Sequence, residues 1–242
     1  MRTKIIIIML MLITQMSCFN DLNDLIYEFS DFKEPICVII GGGSAAGPGR
    51  GWAQAYDTLQ NALSHASDGD EIWVAGDIDL SGSYTINTSV SIYGGFRGDE
   101  AKREDAGGRS KVTTSATPSQ LFMFNSKKII MDGFSFSNSS GGALQISENN
   151  EAIVSNSDFV NHTVSAVICQ SYTKLNLFGC NFNGSLAGTD GGAIQCYSSV
   201  TLNISNSIFK NNTANNGGAI YCANSSKLNV INSSFQNNNA ST

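Results

Sequence analysis

The second half of the chain repeats itself, and the repeat has a fixed part and an elastic part. Ala143, Ala166, Ala193 and Ala219 each stand 16 residues before a phenylalanine: Phe159, Phe182, Phe209 and Phe235. The return spacing, from Phe136, Phe159, Phe182 and Phe209 to the next of those alanines, is 7, 7, 11 and 10 residues. A segment whose length never varies is one that must lie in register on its neighbour, because a one-residue slip turns every side chain to the other face. A segment that varies freely is a loop, since lengthening it adds little closure entropy. The period of 23 to 27 residues, rich in Asn, Ser and Gly and poor in helix formers, therefore predicts stacked β-coils rather than helical hairpins.

The apolar positions agree with this register. Seven and five residues before each Phe stand Ile129/Met131, Ala152/Val154, Leu175/Leu177, Leu202/Ile204 and Leu228/Val230. That is period-two alternation with one face inward in every coil. After each marker alanine come Leu144/Ile146, Val167/Cys169, Ile194/Cys196 and Ile220/Cys222, a second inward pair. Three residues before each Phe lie Gly133, Asn156, Gly179, Asn206 and Asn232, the types that accept left-handed backbone, so a corner is expected there. The marker alanines of three coils follow glycine pairs, Gly141–Gly142, Gly191–Gly192 and Gly217–Gly218, which complete the structural repeat. Asn138, Asn161, Asn211 and Asn237, two places after Phe, are expected to form a hydrogen-bonded ladder at another corner.

The first half contains a stretch, CVIIGGGSAAG, with the spacing Gly41-x-Gly43-x-x-Ala46 of a dinucleotide fingerprint. That chemistry requires a helix to begin inside the loop, where free N–H groups hold the pyrophosphate. Here Pro48, Gly49 and Gly51 follow, which cannot open a helix, and no acidic residue ends a second strand at the ribose position. The stretch reads as a first strand and a loop. The following helical pattern, residues 58–66, puts Leu59, Ala62, Leu63 and Ala66 on one face and suits the top of a solenoid core.

The start of the chain has Arg2 and Lys4 ahead of an apolar run over residues 5–13, too short to span a bilayer and typical of an export signal. The run ends in Met16-Ser17-Cys18, which resembles the lipobox of bacterial lipoproteins and makes Cys18 the candidate lipidation site, although Gln15 departs from the pattern. The remaining cysteines, Cys37, Cys169, Cys180, Cys196 and Cys222, are odd in number and lack any CxxC pair, so no complete disulfide framework or transition-metal site is expected. Charged residues make up only 14% of the chain, with a net charge of −6, which disfavours nucleic acid as a partner.

Two resemblances can be placed on these motifs. GGAI with FKNN at Phe209 and FQNN at Phe235 resembles the GGA[ILV]/FxxN repeats of chlamydial polymorphic membrane proteins, while the earlier FSNS, FVNH and FNGS lack the Asn three places on. Trp52-Ala-Gln-Ala-Tyr56, Gly69-Asp-Glu-Ile-Trp-Val-Ala75 and Ile92-Tyr-Gly-Gly-Phe96 resemble the N-terminal region of exported β-helix proteins of the Bacteroidetes type. The resemblances imply an all-β fold, a right-handed parallel β-helix (a pectate-lyase-like solenoid) with a short N-terminal capping helix. The expected organisation is a signal peptide over residues 1–18, a linker over 19–35, a cap and first coils over 36–118, and repeats over 119–242. Because Thr242 follows Phe235 just where another GGA strand would begin, the expectation is either further coils and a C-terminal domain beyond it or a degraded gene product.

Polysaccharide lyases and glycoside hydrolases also use this fold, and their chemistry needs clustered carboxylates, a base and often Ca²⁺. The coils supply Asp132, Glu148, Glu151, Asp158 and Asp190, thinly spread, with Asp132 and Asp158 in different columns. A lyase reading would use Lys174 as base, with Glu151 and Asp158 on Ca²⁺. The plainer reading of Lys128, Glu151 and Lys174 is a solvated charge row. The charged segment 97–105, including Arg97-Gly98-Asp99, reads as an exposed loop, and Asp68-Gly69-Asp70 as a turn. The cysteine column reads as buried small hydrophobes. The expectation is a non-catalytic, exported cell-surface protein for adhesion or glycan binding, its partners a polysaccharide or the surface of a host or neighbouring cell. It needs no cofactor and meets the membrane only through a lipid anchor. The alternative is a polysaccharide lyase or hydrolase acting on acidic or plant-type polysaccharide.

Overall fold

One coil of the repeat describes most of the molecule. Glu151–Ser155 runs as a strand, Asn156 turns the chain with φ of 46°, Asp158–Val160 forms a second strand, a loop follows, and Val167–Cys169 forms a third. The next coil repeats the pattern in Lys174–Phe178, Asn181–Asn183 and Ile194–Cys196, with Gly179 at the corner. Each strand bonds in parallel to its copies in the coils on either side, so three sheets run the length of the solenoid. The structure is a computed structural model that describes residues 33–44, 49–114 and 120–241. Among these, the first sheet has eight strands, the second seven and the third six. The all-β parallel solenoid predicted from the spacing is the fold observed. The expected signal peptide, Cys18 and most of the linker lie outside the described residues.

The register matches the sequence columns. Phe136, Phe159, Phe182, Phe209 and Phe235 are successive partners in the second sheet. Their rings stack with centroids 5.1, 4.5, 4.7 and 4.7 Å apart, and the last three pairs are within 3° of parallel. Strand spacing of about 4.8 Å equals the spacing of stacked rings, so the aromatic column fits the ladder without distortion. Cys169, Cys196 and Cys222 likewise pair in the third sheet and point inward.

The corners explain the Asn and Gly pattern. Gly133, Asn156, Gly179, Asn206 and Asn232 all have φ between 46° and 77°. This left-handed backbone costs most L-residues about 1–2 kcal/mol, and Asn and Gly accept it. The second Asn column, two places after Phe, is also left-handed at Asn138, Asn161, Asn211 and Asn237, but it does not form the expected side-chain ladder. The ladder runs one residue further on. Asn212 donates to the Phe182 carbonyl at 3.1 Å and to Asn238 Oδ1 at 2.9 Å, and Asn238 donates to the Phe209 carbonyl at 2.9 Å. These amides satisfy backbone carbonyls at the corner, and Asn212 is fully buried while doing so. Earlier coils place Ser139, His162 and Ser185 at this position, all buried.

At the N-terminal end the helix α1, Leu59–His65, begins at Thr58, whose hydroxyl accepts the Asn61 N–H at 3.2 Å. Leu59 and Ala62 are buried, and Leu63 and Ala66 pack against the core beside them. The glycine pairs serve close approach: a Cβ on Gly192 would meet the Gly218 carbonyl of the next coil, and Gly191 and Gly217 have φ of 63° and 61°.

Candidate functional site

The outward face of the first sheet changes character along the solenoid axis. At the N-terminal end it is apolar and covered. Trp73 stacks on Phe96 at 4.8 Å, and Trp52 closes over both at 6.2 and 5.5 Å. The Trp52 indole donates to the Glu100 carbonyl at 2.8 Å. Glu100, expected in an exposed loop, is instead buried, and its carboxylate accepts the N–H groups of Arg97, Gly98 and Asp99 at 2.7, 2.9 and 3.1 Å. Burial pushes its pKa up, but these backbone donors outweigh burial and hold it below the usual carboxylate range. The anchored loop continues over the sheet and forms one wall of a cleft.

That cleft, about 800 Å³, lies where the first sheet turns into the second. A volume of this size suits a small ligand or a segment of a larger one. Its loop wall carries Arg103, Glu104 and Arg109 around Gly107 and Gly108, with Lys111 in the strand that follows, and its solenoid wall carries Asp132, Ser135, Ser155 and Asp158. Arg103 lies over the Tyr93 ring at 4.7 Å and donates to its hydroxyl at 2.9 Å, with Glu71 at 3.8 Å. Arg109 donates from Nε to the Asn156 carbonyl at 2.6 Å and pairs with Asp158 at 3.6 Å. Asp132 accepts from the Ser155 hydroxyl and from Asn156 Nδ2 at 2.8 Å. Lys111 has Asp77 at 4.0 Å. Arg103, Arg109, Lys111, Asp132 and Asp158 each have a partner, yet the guanidinium groups keep unspent N–H donors and the carboxylates unspent lone pairs. The cleft thus offers planar donors and acceptors in balance.

Asp132 and Asp158 fall in separate columns, as read from the sequence, but both line this cleft because Gly133 and Asn156 turn the chain between their strands. The lyase candidates are not gathered. Lys174 Nζ lies 3.0 Å from Glu151 Oε1 in the charge row, and Asn176 donates to the same oxygen at 3.2 Å. The hydrogen bond from Lys174 lowers the Glu151 pKa, burial opposes it, and the charges of Lys174 and Lys128 add to the lowering. Asp158 sits beyond the corner, paired with Arg109. With Glu151 engaged at one end of its strand and Asp158 past the other, these residues do not fit a shared Ca²⁺, and no step is derived through one. Among the described residues no three His, Cys, Asp or Glu side chains form a group that could hold a metal ion.

The other motifs lie outside the cleft. Arg97 and Asp99 pair with each other at 3.6 Å. Asp70 is buried, accepts the Ser67 N–H at 2.8 Å and pairs with Arg50 at 2.9 Å, while Asp68 accepts the Ser89 N–H at 2.8 Å. Burial pushes the Cys180 thiol up to about 11. Tyr93, Arg103, Arg109 and Lys111 form the cleft without any repeat signal. The clue to them in the sequence is the run of charge around residues 97–111, which spans the connection from the first sheet to the second in that coil.

No curated protein and no solved structure matches the chain significantly. Residues 110–242 match the family model described as a right handed beta helix region, which is more than half of the chain. Three parallel sheets, left-handed corners and a stacked aromatic column are what such a region requires, and the chain belongs to the right-handed β-helix family.

Proposed function

We propose that this β-helix is an exported cell-surface protein that binds glycan in the cleft without cleaving it. The observation that carries the reading is the cleft's composition: Arg103, Arg109, Asp132, Asp158 and Asn156 present planar, charge-balanced hydrogen-bonding groups around about 800 Å³. Vicinal hydroxyl groups of a sugar satisfy such groups in pairs, one accepting from a guanidinium and one donating to a carboxylate. The likeness of the GGAI, FKNN and FQNN motifs to chlamydial polymorphic membrane protein repeats supports a surface role. So does the likeness of the WAQAY, GDEIWVA and IYGGF segments to Bacteroidetes-type exported β-helix proteins. The signal-like residues 1–18, with Cys18 as lipid anchor, support export to a cell surface where the partner is a polysaccharide or a neighbouring cell.

One observation favours hydrolysis or lyase chemistry as a second reading: the carboxylates Asp132 and Asp158 line the same cleft as the cations Arg109 and Lys111. The same experiment separates the two. The protein is incubated with neutral glycans and polyuronates, with and without Ca²⁺, while binding is followed by calorimetry and products by chromatography. Binding that disappears in Arg109→Ala, with no shortened products, supports the first reading. Shortened products that vanish in Asp158→Asn would replace it with the second.

A further inference from the structure

The cleft does not end at the second wall. Tyr93, Asp132, Ser155, Phe178, Ser205 and Ile231 are consecutive partners in the first sheet, one per coil, all on its outer face. Beside them runs a second outward column, Ile130, Ile153, Asn176, Asn203 and Asn229. The first members of both columns line the cleft, and the later members line a shallow groove of about 330 Å³. Cleft and groove are therefore two stretches of one track along the solenoid axis. Six rungs at strand spacing make it about 24 Å long.

The floor of the groove is an amide ladder. Asn229 Nδ2 donates to Asn203 Oδ1 at 2.7 Å, Asn203 Nδ2 to Asn176 Oδ1 at 2.8 Å, and Asn176 Nδ2 to Glu151 Oε1 at 3.2 Å. Each rung spends one N–H and one lone pair within the ladder, so a second N–H and a second lone pair per rung remain for a ligand. Phe178 forms the rim with half of its surface exposed, offering a ring to the apolar face of a sugar. The floor carries no net charge: Glu151, where the ladder ends, is paired with Lys174. In the cleft the carboxylates of Asp132 and Asp158, the latter 3.6 Å from Arg109, oppose an anionic ligand.

Resting on the glycan reading of the cleft, we infer that the ligand is a neutral, extended polysaccharide whose chain lies along the solenoid axis, anchored in the cleft and continued over the asparagine ladder. A ribbon-like pyranose chain advances by about one strand spacing per sugar, so successive units meet equivalent amides.

The test uses the full chain and neutral β-1,4-linked oligosaccharides graded from disaccharide to octasaccharide, with oligogalacturonates of equal length. Affinity for the neutral series should rise with length until the track is filled and then level off. Asn203→Ala should weaken the octasaccharide by about tenfold, the loss of a hydrogen bond or two per ligand, and leave the disaccharide unchanged. Phe178→Ser, at an exposed position that folding does not need, should show the same length-selective loss. Arg109→Ala should weaken both lengths. Equal affinity at all lengths, tighter oligogalacturonate binding, or ladder variants that bind like the parent would overturn the track while leaving glycan binding in the cleft intact. Failure of every saccharide to bind would overturn the glycan reading and the track with it.

Discussion

His162 turns the buried polar column into a pH sensor of stability, and its size can be worked out. It stands three places after Phe159, where later coils use Asn212 and Asn238, and only 1% of it is exposed. The ring lies against the carbonyls of Phe136 and Gly141 without a well-formed hydrogen bond to either nitrogen. Burial is the main cause that lowers its pKa from 6.5 to about 4, and the two carbonyls offset only part of that. In the unfolded chain the ring protonates near pH 6.5, whereas the folded chain resists until about pH 4. The unfolded state therefore binds the extra proton between those values. Stability is full above pH 6.5 and falls as pH drops toward 4, by about 3 kcal/mol at 1.36 kcal/mol per unit. His162→Asn places at this site the amide that Asn212 uses toward the Phe182 carbonyl, so the variant should fold. Urea unfolding of both proteins at pH 7.5, 5.5 and 4 gives the test. Carboxylates such as Glu100 and Glu151 lose stability in both proteins as they protonate, so the quantity of interest is the difference between parent and variant. That difference should shift by about 3 kcal/mol in favour of the variant on acidification. Parallel pH dependence would refute the burial argument.

Other outcomes follow from the same packing. Phe209→Ala removes a fully buried ring stacked on Phe182 and Phe235 at 4.7 Å each, and should cost about 3–5 kcal/mol, read as a lower urea midpoint; an unchanged midpoint would count against the register. Asn206→Ala should destabilise by about 1 kcal/mol while Asn206→Gly is nearly neutral, because φ there is 51°; equal losses in both would show that the corner's side chain, not its backbone, matters. The Cys180 thiol, held near 11 by burial, should react with a disulfide reagent at pH 8 only after denaturant is added, and fast labelling of the native protein would contradict its burial.

Much of the fold was legible because parallel stacking writes itself into spacing. Phe159 and Phe182 must align, so the residues between Ala143 and Phe159 cannot change in number, and neither can those between Ala166 and Phe182. The corners were legible for the same reason, since Asn156, Asn206 and Gly179 satisfy one backbone requirement with few residue types. The asparagine ladder on the outer face also keeps a fixed offset, with Asn176, Asn203 and Asn229 each six places before a Phe. It is harder to see because Ile130 and Ile153 occupy the column in earlier coils, and outward positions obey no apolar rule. The cleft was not legible. Asp132 and Asp158 share it through a turn in space, and Arg103 and Arg109 reach it through a loop pinned by the buried Glu100, whose neighbours read as ordinary surface charge.

The elastic segment between the second and third sheets has a consequence for how such a molecule can change. Gly188 sits in one of these segments, between Asn181–Asn183 and Ile194–Cys196, and a side chain built there would meet only open space. Residues added at that point leave the aromatic column and the corners untouched and disturb only local bonds, such as that from the Asn215 amide to the Gly188 carbonyl, at a closure cost that grows only with the logarithm of length. The solenoid thus keeps its architecture and its vocabulary on separate parts of each coil. A new surface can be written at Gly188 without renegotiating the core, which makes the loop the natural place to graft a foreign epitope and the coil the natural unit to duplicate.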